Sequence, residues 1–112
     1  MRILYANARL KKVFNNHKLL KRKHGARAAA IIRRRLDDLY AADTLADMRT
    51  LPGRCHELRA NRAGQLALDL DHPRRLVFEP ANDPIPRSSD GGLIWEQVTA
   101  VVIIGVEDYH GK

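Results

Sequence analysis

Cysteine is nearly absent from this 112-residue sequence, and long apolar runs are missing. The single cysteine, Cys55, can form no internal disulfide and has no second cysteine with which to build a structural zinc site. The longest apolar run, near residues 98–106, is far shorter than the ~20 residues of a membrane-spanning helix. The N-terminus lacks the apolar segment of a secretory signal. We therefore expect one domain, residues 1–112, in a cytoplasmic protein with no membrane partner.

Acidic residues are absent from the first 36 positions, which hold twelve of the twenty Lys and Arg residues and therefore carry +12. The remainder carries −5, and the whole chain carries +7. Such separation of charge favours a polyanionic partner for the N-terminal part, above all a nucleic acid, although a solvated basic helix pair is the plainer interpretation. The basic residues that we expect to contact RNA in this part are Lys21, Arg22, Lys23, Arg33 and Arg34.

Several enzyme signatures are also missing. The sequence has no Gly-rich phosphate loop, GxSxG elbow, HExxH pair or CxxC motif. His56, Asp108 and His110 are suitable metal ligands by type, but their spacing is not diagnostic, and we expect neither a metal nor a cofactor. Cys55 and His56 are adjacent in a predicted strand and should point to opposite faces, so they do not form a catalytic pair.

Two hydrophobic periods divide the chain. A short strand at 2–5 precedes a helical period that predicts one helix from Leu10 to about Gly25, with His17 in its apolar stripe, and a second over 26–42. Beyond Gly53 apolar residues recur at every second position, which predicts a β-hairpin with Ala67, Asp69 and Asp71 on its solvated face. The other predicted strands are "RRLVFEP" and residues 98–106, and the second of these should be an interior strand that is covered on both faces. Residues 80–97 are predicted to form a long loop with one helical turn near Trp95.

These elements predict an α+β fold. The N-terminal strand and the αα-hairpin should pack on an antiparallel-rich sheet of four or five strands. His56 shares a strand face with Leu58, and the last strand ends in Asp108, Tyr109 and His110. Two imidazoles that take and give a proton, with a phenol and a carboxylate nearby, are sufficient for metal-free RNA cleavage by the substrate's 2'-hydroxyl. The alternative is that Asp108, Tyr109 and His110 only end the strand with polar side chains and have no catalytic role.

The segment "LPGRCHELRANRAGQLALDLDHPRRLVFEP" and the ending "EDYH" resemble the RelE/ParE toxin superfamily, and within it the HigB branch of ribosome-dependent mRNA interferases, called plasmid-maintenance killer proteins. The resemblance covers almost the whole chain. It implies a RelE-like (microbial-RNase-like) sheet with two helices on one face and an endoribonuclease that cuts mRNA on the ribosome. It also implies a HigA-like helix-turn-helix antitoxin, through which alone the complex would bind operator DNA.

Site residues follow from this resemblance one by one. His56 matches the strand histidine of the family, Arg75 matches an arginine of the third strand of the C-terminal half, and the C-terminal trio is matched by Asp108, Tyr109 and His110. Arg59 stands where relatives often have lysine and keeps the charge without being able to give up a proton. Arg74 replaces an aromatic residue; with Arg59 and Arg75 it is a candidate phosphate ligand.

Two other functions remain open at this stage. A ParE-like gyrase inhibitor would have the same fold but no catalytic residues, and a non-catalytic nucleic-acid-binding module would depend on the basic N-terminal part alone.

Overall fold

Residues 1–108, the part of the chain that the computed structural model describes, form an α+β fold. The order along the chain is β1 (Arg2–Tyr5), α1 (Ala8–Phe14), α2 (His17–His24), α3 (Ala26–Ala41), β2 (His56–Glu57), β3 (Leu66–Asp69), β4 (Arg74–Pro80) and β5 (Ala100–Asp108). Short 3-10 helices lie at Leu45–Thr50, Ala60–Arg62 and Trp95–Gln97. The last of these is the helical turn that the sequence predicted near Trp95.

The five strands form one mixed sheet in the order β1-β5-β4-β3-β2. β1 runs parallel to β5, whereas the other neighbouring pairs are antiparallel. β5 therefore lies in the interior of the sheet, as its apolar sequence predicted, and β2 is an edge strand. The predicted α+β class and the antiparallel-rich sheet are confirmed.

The prediction of one helix from residue 10 to 25 is wrong. α1 ends at Phe14 and α2 begins at His17, with Asn16 as the residue before the new helix. The Asn16 side chain accepts a hydrogen bond from the Leu19 amide at 3.1 Å, which satisfies one of the unpaired donors at a helix start. His17, which the periodicity placed in the apolar stripe, is instead exposed in the first turn of α2.

The hydrophobic core lies between the helices and one face of the sheet. Side chains of α3 meet alternate residues of the strands, which point to the same face because the side-chain period of a strand is two. Each large apolar side chain buried there stabilises the fold by about 1.5–3 kcal/mol. Fully buried members of this core include Leu20, Ile32, Leu36, Leu39, Leu66, Leu68, Leu76, Phe78 and Ile103. None of the helices in residues 1–108 is long and apolar enough to cross a membrane.

The second face of the sheet, here called the open face, is covered differently from what the sequence predicted. On β5, Val101 and Ile103 are buried against the helices, but Val102 and Ile104 are only half-buried. The interior strand is therefore fully covered on one face only. The prediction that Ala67 lies on a wet face is also wrong, because Ala67 is fully buried.

Polar side chains cover part of the open face. Arg62 donates to Glu107 Oε2 at 2.7 Å and to Gln65 Oε1 at 2.6 Å, and Gln65 donates in turn to Glu79 Oε2 at 3.1 Å. This chain of contacts joins the 3-10 helix Ala60–Arg62 to β3, β4 and β5. Ala67 lies on the same face, opposite Val77 of β4.

Candidate active-site cleft

A cleft of ≈ 810 Å³ runs along the edge strand β2. Three arginines and one glutamate supply the charged groups of its lining, and Glu96 and Asp69 offset part of the positive charge through their ion pairs with Arg49 and Arg54. Guanidinium groups suit an anionic ligand. Its lining residues are Arg49, Arg54, Cys55, His56, Glu57, Leu58, Arg59 and Trp95.

A tight turn before β2 positions this cleft. Gly53 has φ 108° and Arg54 has φ 49°, so two consecutive residues adopt left-handed backbone conformations. The Gly53 carbonyl accepts from the Asp69 amide at 2.6 Å, and Arg35 Nε of α3 donates to the Asp69 carbonyl at 3.0 Å. A Cβ at Gly53 would meet Arg35 Nε at 2.7 Å. Glycine therefore lets the turn lie against α3 and β3 and fixes where β2 starts.

The His56 ring is oriented by this turn. Its Nδ1 lies 2.7 Å from the Arg54 carbonyl oxygen. Because a carbonyl oxygen only accepts, we assign the proton to Nδ1, which leaves Nε2 with the lone pair in the neutral ring. Arg54 is itself held by Asp69, through Nε at 2.8 Å and a second nitrogen at 3.3 Å. The arrangement supplies a positioned imidazole that is able to accept a proton at Nε2.

Trp95 and Arg49 form another part of the cleft wall. The Trp95 indole donates to Glu57 Oε2 at 2.8 Å, and the Arg49 guanidinium carbon lies 4.6 Å from the indole centroid. Arg49 also donates to Glu96 at 2.9 Å, a hydrogen bond that lowers the pKa of the Glu96 carboxyl. The loop 80–97 therefore contributes a rigid aromatic wall to the cleft, a role that sequence reasoning left open.

Cys55 lies in the cleft wall but is largely buried against the core. Burial raises the pKa of its thiol to about 12, with a smaller opposing effect of Arg49. The thiol is therefore protonated near neutral pH and is a poor nucleophile. The register agrees with the sequence prediction that Cys55 and His56 point to opposite faces.

Only one of the three predicted phosphate ligands lines the cleft. Arg59 is exposed there. Arg75 lies on the open face like His56, two strands away, with a guanidinium nitrogen 3.8 Å from Glu107 Oε1. Arg74 points to the helical side, where it donates to the His24 carbonyl at 3.0 Å and to Asp71 at 2.6 Å. Because Arg74 and Arg75 are neighbours on a strand, they cannot face one phosphate from the same side.

The predicted basic helical surface is separate from the cleft. His56 faces Ala67 of the open face, whereas the helices cover the other face. Arg33 pairs with Asp37 at 3.3 Å and remains partly exposed. The remaining predicted residues are exposed on α2 and α3 and are Lys21, Arg22, Lys23 and Arg34. The structure therefore divides the predicted site residues between two surfaces.

Asp108 is the last described residue and lies at the end of β5, in register with Arg74. Three strand spacings separate β5 from β2, which corresponds to about 14 Å across the sheet. Asp108 and His56 are therefore not in hydrogen-bonding contact. The other two predicted catalytic residues, Tyr109 and His110, lie outside the described residues.

Sequence reasoning missed Arg49, Arg54, Glu57 and Trp95 as cleft residues. Arg54 carried a usable signal, because it lies between the "LPG" turn and His56. Arg49 and Trp95 carried none, since they are distant in the chain and meet only through the folded loop. Within residues 1–108, no group of three His, Cys, Asp or Glu residues is arranged to hold a metal ion.

No protein-family model matches the chain. No curated protein matches it with statistical significance.

Proposed function

We propose that the protein is the toxin of a type II toxin-antitoxin system and acts as a ribosome-dependent mRNA endonuclease. The observation that carries the proposal is His56, whose Nδ1 is held by the Arg54 carbonyl in a cleft lined by three arginines. The resemblance of "LPGRCHELRA" and "EDYH" to HigB-type toxins supports the same class. The proposed fold family is RelE-like, and the proposed location is the cytoplasm.

In the proposed reaction, His56 Nε2 removes the proton from a ribose 2'-hydroxyl, and the 2'-oxygen attacks the adjacent phosphorus. A 2',3'-cyclic phosphate forms, the bond to the 5'-oxygen breaks, and that oxygen takes up a proton from the proposed acid, His110. Arg54 and Arg59 stabilise the charge that grows on the phosphate oxygens, an effect that typically contributes the largest part of such catalysis. No metal and no cofactor take part in this scheme.

Other residues have supporting roles in the proposal. Arg75 contributes positive charge on the open face, and Asp108 and Tyr109 help to position the acid. Arg74 braces α2 against β4 rather than binding phosphate. A HigA-like antitoxin would neutralise the toxin and would alone connect it to operator DNA.

The exposed basic surface of α2 and α3 is proposed to bind ribosomal RNA, and the cleft to bind mRNA. His56 lies on the open face and the basic surface on the helical side, so the two proposed RNA contacts use different sides of the sheet. Binding to RNA through several Lys and Arg residues weakens steeply with salt. The residues of this surface are Lys21, Arg22, Lys23, Arg33 and Arg34.

Replacing His56 with Ala tests the proposal. We expect expression of the parent protein in a bacterial host to stop growth and to create new 5' ends in cellular mRNA, mapped by primer extension. His56→Ala should lower cleavage by about 10²–10⁴-fold, because it removes the general base. His17→Ala is the matched control, since His17 is exposed on α2 and far from the cleft.

The same experiment separates the other functions. If His56→Ala stays as toxic as the parent, the nuclease proposal is wrong; a loss of DNA supercoiling with intact mRNA would then indicate a gyrase inhibitor. The exposed basic surface specifically favours the nucleic-acid-binding module as a second candidate. That candidate predicts that Glu replacements at Lys21, Arg22 and Lys23 abolish function while His56→Ala has no effect.

A further inference from the structure

A carboxylate and a guanidinium plane lie on the Trp95 side chain in the cleft that His56 also lines, and the strand register puts Glu57 on the face of β2 opposite to His56. Glu57 Oε2 accepts from the Trp95 indole at 2.8 Å. Glu57 is exposed, and within residues 1–108 its Oε1 has no hydrogen-bond donor from the protein. Trp95 itself is 7% exposed, so the indole is a fixed support and not a mobile surface group. One carboxylate oxygen is therefore anchored and the other is presented to the cleft.

Arg49 is fixed on the same support. Its guanidinium carbon lies 4.6 Å from the Trp95 ring centroid, and Glu96 holds one of its nitrogens at 2.9 Å. About half of the Arg49 side chain, 49%, remains exposed in the cleft. Guanidinium planes are surfaces on which unstacked bases of single-stranded RNA are held. Arg49 thus offers a preformed plane whose orientation is set by two contacts.

We propose that Arg49, Glu57 and Trp95 form a nucleobase pocket in the same cleft as His56, in which the base stacks on Arg49 and donates an exocyclic amino group to Glu57. Carboxylates accept from the amino group of cytosine and repel the carbonyl oxygen that uracil carries at the same position. The pocket therefore prefers cytosine to uracil. This inference rests on the proposed function in taking single-stranded RNA as the ligand, and it adds the chemistry by which a base next to the cut is chosen.

The only tryptophan of the chain makes the pocket directly measurable. The probes are the RNA tetranucleotides rC4 and rU4, titrated against His56→Ala protein, which should bind without cutting, while Trp95 fluorescence is recorded. The two bases have the same ring size and differ in the group that would face Glu57. We expect both to change the fluorescence and rC4 to bind about tenfold more tightly, which corresponds to about 1.4 kcal/mol.

Two further variants assign the effect to residues. Glu57→Gln keeps an oxygen for the Trp95 indole but can also donate to uracil, so the preference should fall to about twofold or less. Arg49→Lys keeps the charge without the plane and should weaken both ligands while retaining their ratio. Asp43→Asn, a carboxylate-to-amide change at an exposed position after α3, should leave both affinities unchanged.

Equal affinities for rC4 and rU4, no fluorescence change with either, or a tenfold preference that survives Glu57→Gln would overturn the inference. Its failure differs from failure of the proposed function. If mRNA is cut in a His56-dependent manner but the titrations show no preference, the nuclease stands and the base pocket does not. If rC4 binds more tightly than rU4 but no mRNA is cut, the pocket selects a base in a protein that is not a nuclease.

Discussion

Gly53→Ala should destabilise the protein and disturb the cleft, because two independent costs coincide at this residue. Gly53 has φ 108°, which an L side chain rarely adopts. An added Cβ would also lie 2.7 Å from Arg35 Nε, closer than such contacts allow, and 3.0 Å from Leu68 Cδ2, a tight contact. Arg35 must then move, and its hydrogen bond to the Asp69 carbonyl is lost.

The magnitude follows from these two costs. The backbone conformation costs roughly 1–2 kcal/mol for alanine, and loss of a hydrogen bond from a charged donor costs about 1.5–3 kcal/mol. Alanine also restricts the unfolded chain, which offsets about 0.4–1 kcal/mol. We expect Gly53→Ala to lower the free energy of unfolding by about 2–4 kcal/mol, a large part of the ~5–15 kcal/mol of a typical domain.

Urea unfolding followed by circular dichroism measures this change, and Gly64→Ala provides the matched control. Gly64 has a similar φ of 94°, but nothing lies within 4 Å of its added Cβ, so only the backbone cost of about 1 kcal/mol applies. In an Arg35→Ala background the cost of Gly53→Ala should fall towards that of Gly64→Ala. Equal destabilisation by the two glycine substitutions in the parent would refute the packing of the turn against Arg35.

Two other predictions concern the contact between α2 and β4. Burial, together with the nearby Lys23 and Arg74 cations, lowers the pKa of His24, although Asp71 opposes this. The folded state thus favours the neutral ring, so the protein is most stable above about pH 6.5 and loses stability as the pH falls below it. The urea midpoint should therefore fall less with decreasing pH in His24→Gln than in the parent protein. The same pH dependence in both proteins would contradict the assignment. Arg74→Ala should cost about 1.5–3 kcal/mol in urea unfolding, because it removes the donor to the His24 carbonyl and leaves Asp71 without its partner. Arg34→Ala, on an exposed helical position, should stay within about 0.5 kcal/mol of the parent, and equal effects of the two arginine substitutions would be incompatible with the bracing role.

The strands were predictable from the sequence because their signal is local. Alternation at Leu66 and Leu68 and the apolar run 98–106 each reflect burial of the strand that contains them. The break between α1 and α2 was not predicted, because the apolar spacing continues across Asn15 and Asn16. There the side chain of Asn16 accepts a hydrogen bond from the backbone and so favours the start of a new helix over continuation of the first one. The spacing of apolar residues contains no information about which of the two forms.

The site was predictable only where neighbouring residues determine it. His56 was singled out because it shares a predicted strand face with Leu58 and matches the strand histidine of the resembled family, and the opposite orientation of Cys55 followed from the strand period. The burial of Ala67 on the open face could not be predicted in the same way, since the polar contacts on this face include Arg62 with Glu107 and Gln65 with Glu79, which are distant in the chain. The wall made by Trp95 depends likewise on how the loop 80–97 folds back onto β2.

The pairing of β1 with β5 determines when the fold can be completed. Arg2 lies in register with Ala100, so the first strand waits for almost the whole chain before it gains its neighbour in the sheet. Contacts between such distant segments form late, because a long loop must be closed first. A nascent chain that ends before β5 would hold the cleft residues yet lack the strand that joins β1 to β4. A toxin with the proposed function would therefore stay immature until β5 has been synthesised.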